Sequence, residues 1–190
     1  PGEEFITSFV GTNNFEGAKS TGEYIGNLLN GKGKVAIIEG MVGNPAAIDR
    51  REGFKEGLKN YPDIKVVASL SADWDADKAL TVAENILTAN PDLNSIFACN
   101  DQMVQGALRA VEAAGKAGKV YLQGFDGITD VLKLIKQGKI LSDVVQNPWE
   151  MGHSGVINAK KAIAGESFGK EVWTGQPLVT KDNVDEFLKE

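Results

Sequence analysis

With one cysteine, one histidine and no excess of basic side chains, this 190-residue chain leaves several kinds of function without the residues they need. Cys99 alone cannot build a disulfide framework or a cysteine-rich zinc site. His153, set in a helical stretch beside Met151, has no partners for a metal cluster or a catalytic triad. Twenty Lys and Arg against twenty-six Asp and Glu give a net charge of −6, so the basic footprint expected of a nucleic-acid-binding protein is missing. No apolar run approaches the roughly 18 residues of a membrane span. The opening Pro1-Gly2-Glu3-Glu4-Phe5 has neither a basic n-region nor an apolar h-region, so no signal peptide is visible. A chain that starts without Met reads as processed or cut, so the missing signal does not by itself imply the cytoplasm. What is present is ordinary for a folded protein, 42% hydrophobic and 24% charged, enough for one large domain or two small ones.

Short β-branched runs alternate with amphipathic stretches. Strands are expected at Ile6–Val10, Val35–Ile38, Ile64–Ala68, Ile96–Ala98, Val120–Leu122 and Ile140–Val145. Helices are expected at Asn14–Leu29, Pro45–Asn60, Asp77–Leu87, Gln102–Ala114, Thr129–Gln137 and Pro148–Ala164. Val104, Ala107, Leu108 and Val111 fall at i, i+3, i+4 and i+7, the period of a helix with one buried face. The strands lack polar alternation, as parallel strands covered on both faces do. Asn44-Pro45 and Asn147-Pro148 each place a capping side chain before a proline at the first helical position. Glu150 stands where a capping box would put it. Gly115, Gly138 and Gly165 follow helical patterns as left-handed stops. After Gly165 the alternation decays through residues 167–180, before a short helix near Val184–Leu188. The β-α-β-α order predicts an α/β fold, a parallel-sheet α/β/α sandwich with right-handed crossovers.

Open parallel sheets bind ligands at the carboxyl ends of their strands, where loops and helix N-termini converge. At those ends the chain carries Glu39-Gly40-Met41-Val42-Gly43 with Arg50 beyond, then Ser71-Ala72-Asp73-Trp74-Asp75 and Cys99-Asn100-Asp101. Gly124-Phe125-Asp126-Gly127 and Gln146-Asn147-Pro148 follow. A guanidinium, an indole, two carboxamides and a carboxylate suit a neutral polyol. The planar polar groups bridge adjacent hydroxyls, and the indole packs on the C–H face of a sugar ring. Singly, each has a plainer reading. Arg50 in Asp49-Arg50-Arg51-Glu52 reads as a solvated helix face and Trp74 as partial core. Asn100 and Asp101 read as helix caps, Asp126 as a turn residue and Gln146 alone as weakly informative. Their joint placement at successive strand ends is what favours a site.

Other motifs carry less. Gly31-Lys32-Gly33-Lys34-Val35-Ala36 matches a dinucleotide fingerprint on paper but precedes a strand, where that motif must follow one. Gly17-Ala18-Lys19-Ser20-Thr21 has the wrong glycine spacing for a phosphate cradle. No cofactor or metal is expected. Cys99 reads as a small buried side chain, and the C-terminal Lys and Glu as solvated surface.

Segments Val10–Asn14, Ala46–Phe54 (AAIDRREGF), Ser71–Asp75 (SADWD), Asn100–Leu108 (NDQMVQGAL), Gly124–Gly127 (GFDG) and Val144–Pro148 (VVQNP) run in order over nearly the whole chain. Together they resemble type I periplasmic sugar-binding proteins of the ribose-binding group. The resemblance implies two α/β lobes that close on a monosaccharide and deliver it to an ABC transporter permease or a chemoreceptor. It implies a periplasmic location or an extracellular lipoprotein. By position, Arg50 resembles the arginine that bonds sugar hydroxyls, and Trp74 stands where an aromatic residue, usually phenylalanine, stacks on the ring. Asn100, Asp126 and Gln146 match polar ligands of the second lobe and hinge. Met41 matches an apolar contact and Thr12 a small hydroxyl residue near the first crossover. Asn13 for a common Asp, Asp143 for a usual Thr and Trp74 for Phe depart from the pattern, which bears on the identity of the sugar.

The same resemblance implies that residues 13–146, with 176–190 returning to them, form the complete C-terminal lobe. Residues 1–12 and 147–175 would be remnants of an N-terminal lobe whose larger part is absent, so the chain reads as a C-terminal fragment. A lone half-site should bind weakly, and exposed apolar surface should favour self-association. Two rival functions share features with this reading. One is the effector domain of a LacI-type regulator, although Gly31–Val35 and the short 115–120 connection look more like the transport proteins. The other is a glycosidase using two of Asp73, Asp75, Asp101 and Asp126, which requires carboxylates about 5–10 Å apart across the bond.

Overall fold

The computed structural model describes residues 6–188. In chain order its elements are β1 (Phe9–Thr12), α1 (Asn14–Leu28), β2 (Lys32–Glu39), α2 (Pro45–Gly57), β3 (Asp63–Ser71), α3 (Ala76–Ala89) and β4 (Ser95–Ala98). There follow α4 (Asp101–Ala113), β5 (Tyr121–Asp126), α5 (Thr129–Lys136), β6 (Ser142–Val145), α6 (Pro148–Ile163), β7 (Glu171–Thr174), β8 (Leu178–Thr180) and a single 3-10 turn at Val184–Glu186. Among the described residues, 14–145 and 177–188 form one unit; residues 6–13 and 146–176 form a second.

The larger unit is built on a six-stranded sheet ordered β3-β2-β4-β5-β6-β8. Every pairing in it is parallel except that of β6 with β8. Helix α1 packs on α2 and α3 on α4, which right-handed crossovers place on opposite faces of the sheet. The central strands carry the core: Val35 to Ile38 of β2 and Ile96 to Ala98 of β4 are fully buried. Phe54 of α2 stacks on Phe97 of β4, with ring centroids 4.6 Å apart and planes within 11°, which fixes α2 over the middle of the sheet. Caps behave as their residue types require. Asn44 Oδ1 accepts from the Ala47 N–H at 3.2 Å, and Gly115, Gly138 and Gly165 take φ of +63°, +74° and +70°.

The fold departs from the sequence reading at several edges. Strand β3 lies at the margin of the sheet, with Val66 and Leu70 exposed, so it is not covered on both faces; a register shift opposite Val35/Ala36 bulges it, as edge strands often are. Strand β5 continues through Gly124 and Phe125, so Asp126 ends the strand instead of following it; pairing of residues 123–126 with 142–145 of β6 extends it that far. The decayed stretch after Gly165 holds β7 and β8, and β8 makes the sheet mixed. Such short strands carry too few side chains to show a period. Strand β1 is displaced from Ile6–Val10 to Phe9–Thr12 because its partner β7 offers only Glu171–Thr174 to pair with.

In the smaller unit β1 pairs in parallel with β7, Phe9 packs edge-on against Trp173 at 5.4 Å, and α6 lies against both strands. Asn158 of α6 donates to Ser8 Oγ at 2.8 Å, tying the helix to the start of the unit. The outer side of α6 exposes Trp149, Val156 and Ile163.

Candidate functional site

The chain passes from β2 outward to β3 and then returns to the other side of β2 for β4. The direction of winding therefore reverses between β2 and β4, and the loops at their carboxyl ends splay apart there, leaving a crevice. A hollow of about 230 Å³ opens at that place, lined by Asn44, Ala46, Arg50, Trp74, Asn100 and Asp126. Four of the seven residues singled out in the sequence thus come together from the ends of four strands. A larger hollow of about 460 Å³ against α3 and α4 is lined by Leu87, Ala110, Ala113, Glu84 and Lys116, at the helix C-termini and away from these loops.

Arg50 is the best-anchored member. It is 5% exposed, so its charge must be compensated in place. Nε donates to Asn14 Oδ1 at 2.9 Å, and Nη1 donates to the Cys99 carbonyl at 2.7 Å and to Asp126 Oδ1 at 2.9 Å. The guanidinium carbon sits 3.7 Å above the Phe125 ring and 5.7 Å from the Trp74 ring. These bonds fix the plane of the fork and leave Nη2 for a further acceptor. Arg50 is therefore not a solvated helix face. Asn14, Phe125 and the Cys99 carbonyl carry no signal in the sequence that marks them as its supports; only the fold brings them together.

Trp74 reaches the hollow from a strained turn. Asp73 and Trp74 both have left-handed backbones, φ +53° and +66°. The turn is held by Ser71 Oγ, which donates to the Gly40 carbonyl at 2.6 Å and accepts from the Asp73 N–H at 3.2 Å. Lys78 pairs with Asp73 at 2.7 Å and holds its carboxyl below the usual carboxylate range. The indole then lies directly on Gly40, where a Cβ would come 2.2 Å from Trp74 Cζ2. Gly40→Ala should therefore push the indole off its seat at a cost of about 1–3 kcal/mol. Emission spectra with Trp74→Phe as the reference would read the change, and an unaltered Trp74 signal would contradict the packing.

Asn100 is both cap and lining residue. Its Oδ1 accepts from the Met103 N–H at 2.9 Å at the start of α4, which leaves Nδ2 as the group for a ligand. Asp126 ends β5 with φ +135°, its side chain about a quarter exposed. The other aspartates have separate duties. Asp75 caps α3 through Asp77 and Lys78 N–H groups, Asp73 pairs with Lys78, and Asp101 is fully buried. Among the four that a glycosidase could use, only Asp126 lines the hollow. Burial pushes the Cys99 thiol up to about 12, so it stays protonated and unreactive at neutral pH.

The remaining candidates are not among these lining residues. Met41 is 52% exposed on the β2–α2 loop and is not part of the lining. Thr12 and Gln146 belong to the smaller unit, where buried Thr12 Oγ1 donates to Gln146 Oε1 at 3.0 Å. His153 is stacked on Trp149 with centroids 5.0 Å apart. Gly17–Thr21 lies inside α1, where no phosphate loop can form, and Gly31 turns the chain into β2.

Comparison with known proteins gives a consistent set of similarities. The family description "periplasmic binding protein domain" matches residues 3–167. The ribose import binding protein RbsB of Haemophilus influenzae is 42% identical over 161 residues, 85% of this chain and 54% of that protein. The D-allose-binding periplasmic protein of Escherichia coli is 42% identical over 168 residues, 88% of this chain and 53% of that protein. An ABC transporter periplasmic solute binding protein from Actinobacillus succinogenes 130z, solved with bound D-allose, superposes with a TM-score of 0.90 at 38% identity, covering 94% of this chain and 63% of that one. The chain thus spans about half the length of the curated relatives it matches.

Proposed function

This chain belongs to the periplasmic binding protein domain family, in the ribose-binding-like group of type I sugar-binding proteins, and from that premise we propose that it binds a monosaccharide, a ribose-like pentose or a hexose. The sugar would be passed to an ABC transporter permease or a chemoreceptor, from the periplasm or from a lipid-anchored extracellular position. Residues 13–146 with 176–190 would act as one lobe of the binding protein, and 1–12 with 147–175 as part of the other. The observation that carries the reading is Arg50: a buried guanidinium, oriented by three acceptors and an aromatic face, on the lining of a hollow that Trp74, Asn100 and Asp126 also line.

Sugar binding would proceed by packing of the apolar ring face on the Trp74 indole while adjacent hydroxyls meet Arg50 Nη2, Asn100 Nδ2 and the Asp126 carboxylate. Thr12 and Gln146 would add polar contacts and Met41 an apolar one. Closure would be a hinge motion at the crossovers near Thr12–Asn13 and Gln146–Pro148. Discrimination would come from hydroxyl matching, since an analogue lacking one hydroxyl leaves a desolvated partner unpaired. The apolar side chains exposed on α6 are the surface through which copies of the chain would self-associate.

The expected affinity of this chain is weak, about millimolar. Saturation-transfer NMR with D-ribose, D-allose, L-arabinose and myo-inositol should give signals on ring C–H protons, lost in Trp74→Ala. No transfer from any sugar, or transfer that survives Trp74→Ala unchanged, would overturn the assignment.

A further inference from the structure

Beneath the hollow two aspartates face each other without a visible donor between them. Asp101, at the first turn of α4, and Asp143, in β6, are both fully buried. Asp101 Oδ2 accepts from the Ile128 N–H at 2.8 Å, and Asp143 Oδ2 accepts from the Gly127 N–H at 3.0 Å. The other oxygen of each, Oδ1, has no hydrogen-bond donor. Both Oδ1 atoms converge on Gly124: a Cβ built there would lie 2.7 Å from Asp101 Oδ1 and 3.2 Å from Asp143 Oδ1. Two carboxylates cannot share so small a dry space while both are charged, whereas one proton placed between them satisfies both orphan oxygens at once.

The two residues they hold, Gly127 and Ile128, directly follow Asp126. Asp126 carries its side chain to Arg50 from a left-handed backbone, φ +135°, and Gly127 continues the turn at φ +83°. That geometry needs its next two N–H groups pinned. We propose that Asp101 and Asp143 form a proton-sharing acid pair that positions Asp126, clamping the Gly127–Ile128 backbone from two different elements. The functional side of the proposal rests on the sugar-binding reading above. The acid pair itself does not.

Among the described residues, the charge that acts on both members of the pair is that of Asp126 at the end of β5, and Arg50 of α2 pairs with Asp126 at 2.9 Å. Burial raises Asp101 to about 7, with the Asp126 charge adding to it against the Ile128 and Gly127 N–H bonds. Burial likewise holds Asp143 well above the usual carboxylate range, helped by the charges of Asp101 and Asp126. An acid raised in the folded state stabilises that state at low pH, and the contribution is lost as pH rises through the folded value. Stability should therefore fall from mildly acidic pH to beyond about 7. When the shared proton leaves, the two anions repel, Gly127 and Ile128 are no longer held in register, and Asp126 loses its aim.

Asp143→Asn separates this from a merely structural role. Its amide can still accept from Gly127 and can donate to Asp101 Oδ1, which replaces the shared proton with a fixed donor. Thermal unfolding of the parent should drop by about 4–8 °C between about pH 5 and about pH 8.5, and in Asp143→Asn that slope should be largely gone. Asp101→Asn, donating in the opposite direction, should flatten the profile in the same way. In the sugar titration, parent affinity should weaken about tenfold from about pH 6 to about pH 8.5, and the variant should lack that fall. Equal stability slopes in parent and both variants would overturn the acid pair. A flattened stability profile with an unchanged pH dependence of sugar binding would overturn the positioning role. Failure of every sugar to bind at any pH would overturn the functional half of the proposal together with the sugar-binding reading, while the stability profiles alone would still decide the acid pair.

Discussion

Arg50→Met should abolish detectable sugar binding and lower the stability of the larger unit by about 2–4 kcal/mol. Methionine keeps most of the stem and its contact with Phe125, so the change isolates the guanidinium. Removing it strips a donor from Asn14 Oδ1, from the buried Cys99 carbonyl and from Asp126 in one step. The Cys99 carbonyl and Asn14 lose neutral-acceptor bonds to a charged donor, and Asp126 is left as a partly desolvated anion near two buried acids. Because the Asp126 side chain is about a quarter exposed, water recovers part of its loss, which keeps the expected cost below that of a fully buried broken pair. Adding Asp126→Asn to Arg50→Met should return part of the stability, since a partly desolvated charge beside two buried acids is gone, but none of the binding. Urea denaturation with the same saturation-transfer titration reads both. A variant as stable as the parent would mean that the guanidinium is not held as described.

The alternation of strands and helices was legible to the extent that side-chain chemistry is periodic. Continuous apolar runs such as Val35–Ile38 and Ile96–Ala98 mark central strands because both of their faces are buried, and they lie at the middle of the sheet. The asparagine–proline pairs mark helix starts because the cap and the fixed proline φ are local effects. Elements set by their partners were not legible. Strand β8 is three residues long and antiparallel because β6 is there to receive it, and β1 runs only as far as β7 pairs with it. The same division applies to the site. Arg50, Trp74, Asn100 and Asp126 were recognisable as polyol-type groups at strand ends. Asn14, Phe125 and the Cys99 carbonyl, which aim Arg50, were not, because support is a property of distance and these residues have other local duties. Asp143 was visible only as a departure from a usual threonine. Its meaning depends on Asp101 standing opposite, and nothing in the spacing of residues 101 and 143 announces that.

Gly53→Ala should destabilise the larger unit by about 2 kcal/mol and disturb the site without touching it. A Cβ at Gly53 would lie 2.2 Å from the Phe15 carbonyl oxygen, 2.9 Å from its carbon and 3.0 Å from its Cα. These are backbone atoms of α1, and no rotamer moves them. Gly22 and Gly57 make the same kind of close approach: a Cβ on either would meet backbone of the opposite helix. The α1–α2 contact is thus backbone against backbone at several glycines, and one methyl must lift α2 away from α1. Alanine is the better helix former by about 1 kcal/mol, so the net loss is the overpacking cost less that gain. The lift is felt three residues earlier, at Arg50, whose Nε reaches Asn14, the neighbour of Phe15. Raising α2 lengthens that bond and tilts the guanidinium over Phe125, so sugar affinity should fall along with stability. Gly152→Ala in α6 supplies the contrast, because a Cβ there meets nothing within 4 Å; it should stabilise by about 0.5–1 kcal/mol and leave binding unchanged. If Gly53→Ala were as stable as the parent, the two helices would not be in backbone contact. Arg50 would then owe its position to Asp126, the Cys99 carbonyl and the Phe125 ring.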